Sequence, residues 1–218
     1  EMLCVGISMA PSDFDVLRTQ SRFGGTSDID IMANALGWIQ AGCRQPSINL
    51  FSYFEADIQV GGISLAQVGI RKKGFLGSVQ GAGKRKPSFK IKTDKFVDDL
   101  QLGDTERLTL NNNIQDPTRL KTCLTYDIFR SAGYPSARCN LANVIVNGEP
   151  MGSYTHVEAI KKRFLRRIFG NDSGSLYEGT VADFTEQHLA DAAMGGLGRW
   201  EAKTGDTDSK GGPLLAVL

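Results

Sequence analysis

The sequence predicts an α+β fold, mostly antiparallel sheet with packed helices, and three observations carry that expectation. Apolar and polar residues alternate along Val68–Arg71 and Ser88–Lys92, and again on both sides of Asn147, which is the period of half-buried strands. Gly61-Gly62 and Asn147-Gly148 interrupt such runs where a tight hairpin turn demands positive φ. Asp116-Pro117 opens a stretch in which Leu120, Leu124, Ile128 and Phe129 recur at helical spacing through Ala132, closed by Gly133.

In chain order, Leu3–Ile7 reads as a first strand that begins almost at Glu1, so the chain is expected to be a fragment whose true N-terminus, with any signal peptide, is not present. Ser12, with Asp15 three residues on, caps a short helix with Phe14 and Leu17 on its apolar face, and this helix is expected to be peripheral. Arg22–Asn49 shows no clear period, carries Gly24-Gly25, Gly37 and Gly42, and is expected to be a long, partly ordered loop. Phe54–Val60 and Ile63–Arg71 make a hairpin around Gly61-Gly62, and Ser88–Lys92 returns as another strand. A linker with Asp94, Asp98 and Asp99 leads to a strand at Glu106–Leu110, then Asn111-Asn112-Asn113 and the helix after Asp116. Ala142–Val146 and Glu149–Val157 form the Asn-Gly hairpin. A basic amphipathic helix at Ile160–Phe169, a strand at Ser175–Glu178, a helix from about Asp183 to Met194 and a turn at Gly195-Gly196 follow.

The stretch with the most chemical content lies between the third and fourth of these strands. Gly74, Gly77, Gly81 and Gly83 stand among Arg71, Lys72, Lys73, Lys84, Arg85 and Lys86, so a turn with little steric hindrance carries clustered cations, and a phosphate-bearing ligand is the expected guest. It is not a P-loop: aligned on Gly83-Lys84, the first glycine position falls on Ser78 and the last Ser/Thr position on Arg85. Nor is it a dinucleotide fingerprint, since the third glycine falls on Lys86 and a strand follows where a helix is needed.

The formal net charge of +1 over 218 residues makes this basic stretch a local feature, which argues against nucleic acid as partner. No apolar run approaches the roughly 20 residues of a membrane span. Cys4, Cys43, Cys123 and Cys139 contain no C-x-x-C pair, and His156 and His188 add no ligand spacing, so no structural zinc site is expected. An even number of cysteines permits disulfides in an exported protein or buried thiols otherwise; Cys123, on the Asp116 helix, and Cys139, after the Gly133-Tyr134-Pro135 turn, are the pair the chain could bring together.

Taken as an ordered set, IRKKG at Ile70–Gly74, KPSFKIK at Lys86–Lys92, LTLNNNIQDPTRL at Leu108–Leu120, FRSAGYPSAR at Phe129–Arg138, VNGEPMGSYTHVE at Val146–Glu158 and GSLYEG at Gly174–Gly179 resemble the spore-coat CotH kinase family, over about residues 55–180. The resemblance implies an atypical protein-kinase-like fold and transfer of phosphate from ATP, with Mg2+ or Mn2+, to serine of a protein substrate. It also implies a place outside the cytoplasm, exported, at the cell surface or in a spore coat.

In kinases a strand lysine grips the nucleotide phosphates and is steadied by a glutamate. On this resemblance Lys86 takes that role, with Lys90 as the alternative on the same strand face, Arg71 and Asn111 as further nucleotide contacts, and Glu158 as the ion-pair partner. Asn111, Asn113 and Asp116 could bind a ligand or merely end a strand and start a helix; for Asp116 before Pro117 helix initiation is a sufficient explanation, and His156 is expected to be packed or exposed and not a base. Proteins of this family carry their catalytic and metal-holding aspartates later, in an Asp-Gly followed by His-Asn and then a Trp-Asp-x-Asp segment, and neither occurs in these 218 residues. The expected organisation is therefore residues 1–50 as an N-terminal strand, helix and loop, 51–180 as the nucleotide-binding portion, and 181–218 as the start of a C-terminal portion. The catalytic and metal residues are expected to lie outside this chain, which is expected to be inactive alone. The rival expectation is a non-catalytic CotH-like coat or surface domain that works by contact and adhesion.

Overall fold

The computed structural model describes residues 2–20, 33, 51–74, 86–179 and 200–204. The loop expected over Arg22–Asn49, the glycines Gly77, Gly81 and Gly83 of the basic turn, the helix at about Asp183–Met194, the turn at Gly195-Gly196, Cys43 and His188 lie outside the described residues. Two compact units separate between Ala159 and Ile160.

The first unit contains β1 (Leu3–Ser8), α1 (Pro11–Thr19), β2 (Phe54–Val60), β3 (Ile63–Lys73), β4 (Ser88–Lys92), β5 (Arg107–Asn111), α2 (Lys121–Ser131), β6 (Cys139–Val146) and β7 (Glu149–Val157). Its seven strands close into a barrel in the order β1-β2-β3-β4-β5-β7-β6. Every pairing is antiparallel except the seam, where Leu3–Ile7 runs parallel to Ala142–Val146. This overturns the expected kinase-like α+β arrangement with helices packed on a sheet: the described residues form a mostly β molecule with a closed barrel and three short helices.

The cause is where the apolar residues of each strand point. Val5, Ile58, Ile70, Phe89, Leu110, Val144 and Tyr154, one from each strand, are all buried in a single interior cluster. A sheet whose two edge strands pair with one another has no open edge, and its apolar face is turned onto itself instead of onto helices. Accordingly α2 has no buried residue, and Leu120, just before it, with Leu124 and Ile128 within it, correctly spaced for a helix face, stand exposed. It begins at Lys121, not at Asp116.

The turns formed where their residues require them. Gly61 and Gly62 have φ of 56° and 88°, and Asn147 and Gly148 have 50° and 82°, the paired positive values of a tight hairpin. Cys123 and Cys139 are joined by a disulfide with Cα atoms 5.2 Å apart, inside the roughly 7 Å that permits a bridge. It ties α2 to β6 across a separation of 16 residues, and closing a loop of about that size stabilises a fold by about 3 kcal/mol on the chain-entropy account. Cys4 is a free, exposed thiol.

α1 is not peripheral: its Leu17 is fully buried within the barrel cluster. No side chain caps its start, and Pro11 occupies the first turn, where a missing N–H costs nothing. Its last turn also accounts for Lys72, which shares the inward face of β3 with Val68 and Ile70 and is 1% exposed. The Lys72 ammonium donates to the carbonyls of Arg18 (2.8 Å) and Gln20 (2.7 Å), at the negative end of the α1 dipole. Burial nonetheless brings its pKa down to about 8. Between that value and the 10.5 of the unfolded chain, the unfolded state holds a proton that the folded state has released, so stability should rise with pH. At 1.36 kcal/mol per pH unit this predicts a gain of roughly 2 kcal/mol between pH 8 and 10. Urea unfolding at the two pH values measures it. A Lys72→Met variant that keeps the same slope would show that the slope has another source.

The second unit contains α3 (Lys162–Phe169), closed by Gly170 at φ 77°, and a two-stranded antiparallel sheet of β8 (Leu176–Gly179) and β9 (Trp200–Thr204). Phe164 and Leu165 are the buried side of α3. Among the described residues no helix is long and apolar enough to cross a membrane.

Candidate functional site

At one end of the barrel β3 ends, β4 begins and β5 ends, and Lys73 stands opposite Ser88 while Asn111 stands opposite Thr155 on β7. This is the end from which the basic glycine-rich segment leaves and to which it returns. Backbone polar groups here are satisfied by side chains. Ser88 Oγ accepts the Asn112 N–H (2.9 Å), and Asn112 Nδ2 donates to the Lys86 carbonyl (2.9 Å). The buried Tyr154 hydroxyl donates to the Pro87 carbonyl (3.0 Å). Burial raises the pKa of that phenol, so it acts as a neutral donor. The chain entering β4 is thereby fixed, and with it the start of the Lys86 side chain.

The Lys86 ammonium donates to the Ser153 carbonyl (2.8 Å) and lies 4.8 Å from the centroid of the Tyr154 ring. Gly152, at φ 78°, lets β7 bend next to it. On the other side of Ser153, Arg119 Nη1 donates to the Ser153 hydroxyl (2.9 Å). Two cations thus converge on one serine. Burial, and then the charge of Arg119, hold the Lys86 pKa below its ordinary value. Among the described residues no carboxylate pairs with either cation. A like-charge pair with no acid between it is costly unless an anion joins it.

Arg119 stands at the tip of the turn between Asn113 and α2, at φ 63°, in the left-handed region that non-glycine residues seldom occupy. Asp116 builds that turn. Its Oδ1 accepts the N–H (3.1 Å) and the hydroxyl of Thr118, its Oδ2 accepts the Lys121 N–H (2.8 Å), and its carbonyl accepts the Arg119 N–H (3.0 Å). The Thr118 hydroxyl and then these backbone N–H groups hold the Asp116 carboxyl below the usual carboxylate range, with burial working the other way. Asn113, also left-handed at φ 59°, accepts from the Thr155 hydroxyl (2.8 Å) while its buried Nδ2 has no hydrogen-bond acceptor. A buried donor without an acceptor is a place where a ligand oxygen would be welcome.

The residues named from the sequence are distributed as follows. Lys86 is in the cluster. Asn111 lies beside it on the outer face of the barrel, its Oδ1 accepting from Lys73 Nζ. Arg71 and Lys90 face one another across β3 and β4 on that same outer face, with the Arg71 guanidinium 5.3 Å from the Tyr53 ring centroid. Glu158 is not brought to Lys86: its Oε2 accepts the Arg138 N–H (2.9 Å), and its own N–H donates to the Arg138 carbonyl (2.9 Å). His156 is lowered in pKa by burial, opposed by the charge of Glu158.

The sequence did not single out Arg119 as a cation of the site, although it lies within Leu108–Leu120. It also gave no role to Ser153, and left Asn113 open between a ligand contact and a strand end. The only available signal for Arg119 was a basic residue two positions after the Asp-Pro pair. Two cations, a hydroxyl and amide donors suit phosphate oxygens. They do not make a metal site, and among the described residues no group of three or more His, Cys, Asp or Glu side chains could hold a metal ion.

The family model described as CotH kinase protein matches residues 74–211, more than half of the chain, and the whole Lys86–Arg119–Ser153 cluster lies inside that span. No curated protein matches the chain.

Proposed function

The chain belongs to the CotH kinase protein family, and from that membership we propose that it grips the phosphates of ATP, as the binding part of a kinase that phosphorylates serine in a protein substrate. The observation that carries this proposal is the convergence of Lys86 and Arg119 on Ser153, with no carboxylate among the described residues paired with either. Lys86 is steadied by a carbonyl and an aromatic face, which leaves its remaining N–H donors for phosphate oxygens. Arg119 presents a planar set of donors suited to the same group. Asn113 Nδ2 is a third donor at this end of the barrel. Magnesium or manganese bound with the nucleotide would neutralise phosphate charge during transfer.

Two measurements test the proposal together. Calorimetry should detect binding of ATP-magnesium to the 218-residue chain. Incubation with labelled ATP, metal and a serine-rich acceptor should show no transfer by these residues, because phosphoryl transfer depends on metal-holding acids as well as on a phosphate grip. Robust metal-dependent transfer would place a catalytic acid within these residues and refute the expectation of binding without turnover. A second function, a coat or surface domain that works by contact, is favoured by the exposed apolar row of Leu120 at the start of α2 and Leu124 and Ile128 within it. A chain that captures protein partners and shows no affinity for ATP-magnesium would answer to that alternative.

A further inference from the structure

We infer that Asp116 is a positioning residue for the anion site: by closing the turn 116–121 it holds Arg119 in its left-handed conformation, aimed at Ser153 and a phosphoryl group beside Lys86. The inference rests on the phosphate-gripping function proposed above. Four hydrogen bonds centre on this one residue, three to its carboxylate and one to its carbonyl, and one of them is the Arg119 N–H itself. A further bond, from the Asp116 N–H to the Asn113 carbonyl (3.1 Å), links the same turn to the orphaned donor of Asn113. Left-handed backbone at Arg119 and Asn113 persists only where its surroundings impose it. One clasp bond, to the Lys121 N–H, meets the first residue of α2, while the other three lie in the turn ahead of the helix, where helix initiation does not require them. The clasp therefore does more than start a helix: it preorganises a guanidinium, so that less freedom is lost when an anion binds.

The prediction separates positioning from plain charge. Asp116→Asn keeps one accepting oxygen but sets an amide donor against the Lys121 N–H, loosening the turn while also removing a negative charge from the turn that carries Arg119. If Asp116 acted only through its charge, its loss would strengthen anion binding. If it positions Arg119, its loss weakens binding.

The test is calorimetric titration with inorganic pyrophosphate of the parent chain, Asp116→Asn, Arg119→Ala, the double variant and Lys86→Ala, each checked for an unchanged urea midpoint. Thr118→Val, which removes one donor of the clasp, stands in if Asp116→Asn does not fold. Arg119→Ala should weaken binding at least 10-fold, the scale of one charge-assisted hydrogen bond, and Asp116→Asn several-fold. In the Arg119→Ala background Asp116→Asn should have no further effect, because residues that act through one another are not additive. Additive losses, or tighter binding by Asp116→Asn, would overturn the positioning role while leaving the Lys86 grip in place. Unchanged affinity in Lys86→Ala and Arg119→Ala alike would instead remove the phosphate site and the positioning role together.

Discussion

Replacing Lys86 by alanine should weaken ATP-magnesium binding by about 1.5–3 kcal/mol, the range for a hydrogen bond to a charged group, which is roughly 10- to 150-fold. The ammonium is partly buried, and among the described residues no carboxylate pairs with it; its partners there are a carbonyl and a ring. An incoming phosphate therefore gains most of the Coulomb energy, without first breaking an ion pair. Its lowered pKa adds a pH signature. Binding should weaken as alkaline pH removes the Lys86 proton, and this loss should begin at a lower pH than for an ordinary lysine. Calorimetry across that range, with Lys86→Ala as the flat control, reads both effects. Equal affinity in the two proteins would remove Lys86 from the site, and the kinase-type grip with it.

Local signals in the sequence identified most strands and both tight turns, since alternation and positive-φ residues act over a few positions: Gly61-Gly62 and Asn147-Gly148 are where hairpins turn. Closure of the barrel was not legible. It depends on Leu3 pairing beside Ala142, a contact between residues far apart in the chain that no local period encodes. The apolar spacing of α2 was legible and its consequence was not, because a period of 3.6 reports an amphipathic helix and is silent about whether anything covers it. Lys72 is the opposite case. Period two from Val68 and Ile70 already placed it on the inward face, but a lysine in a cationic run was read as one of the clustered cations of the glycine-rich turn. At the site, Lys86 was reachable from the sequence because it borders a glycine-rich turn. Arg119 was not, because its direction is set by the Asp116 clasp and by one left-handed φ, neither of which leaves a periodic trace.

Tyr154→Ala should be the most destabilising change near the site, by about 3–5 kcal/mol, the range for truncating a fully buried aromatic side chain. The ring stacks on Phe89 with centroids 5.8 Å apart inside the barrel, so its loss leaves a void between β4 and β7. It also leaves the Pro87 carbonyl without its donor and takes away the surface that carries the Lys86 ammonium. Against the 5–15 kcal/mol that usually separates folded from unfolded domains, this is a large fraction of the total. Tyr154→Phe isolates the hydroxyl: packing and the face under Lys86 remain, one hydrogen bond to Pro87 goes, and the cost should be near 1 kcal/mol. Urea unfolding of the three proteins, with unchanged m-values, gives the two differences. In the folded population of Tyr154→Ala, ATP-magnesium affinity should also fall, while Tyr154→Phe should bind nearly as the parent does. An Ala variant that loses less than 1 kcal/mol would mean that the barrel interior collapses around the gap, and that it is not the rigid support on which Lys86 is held.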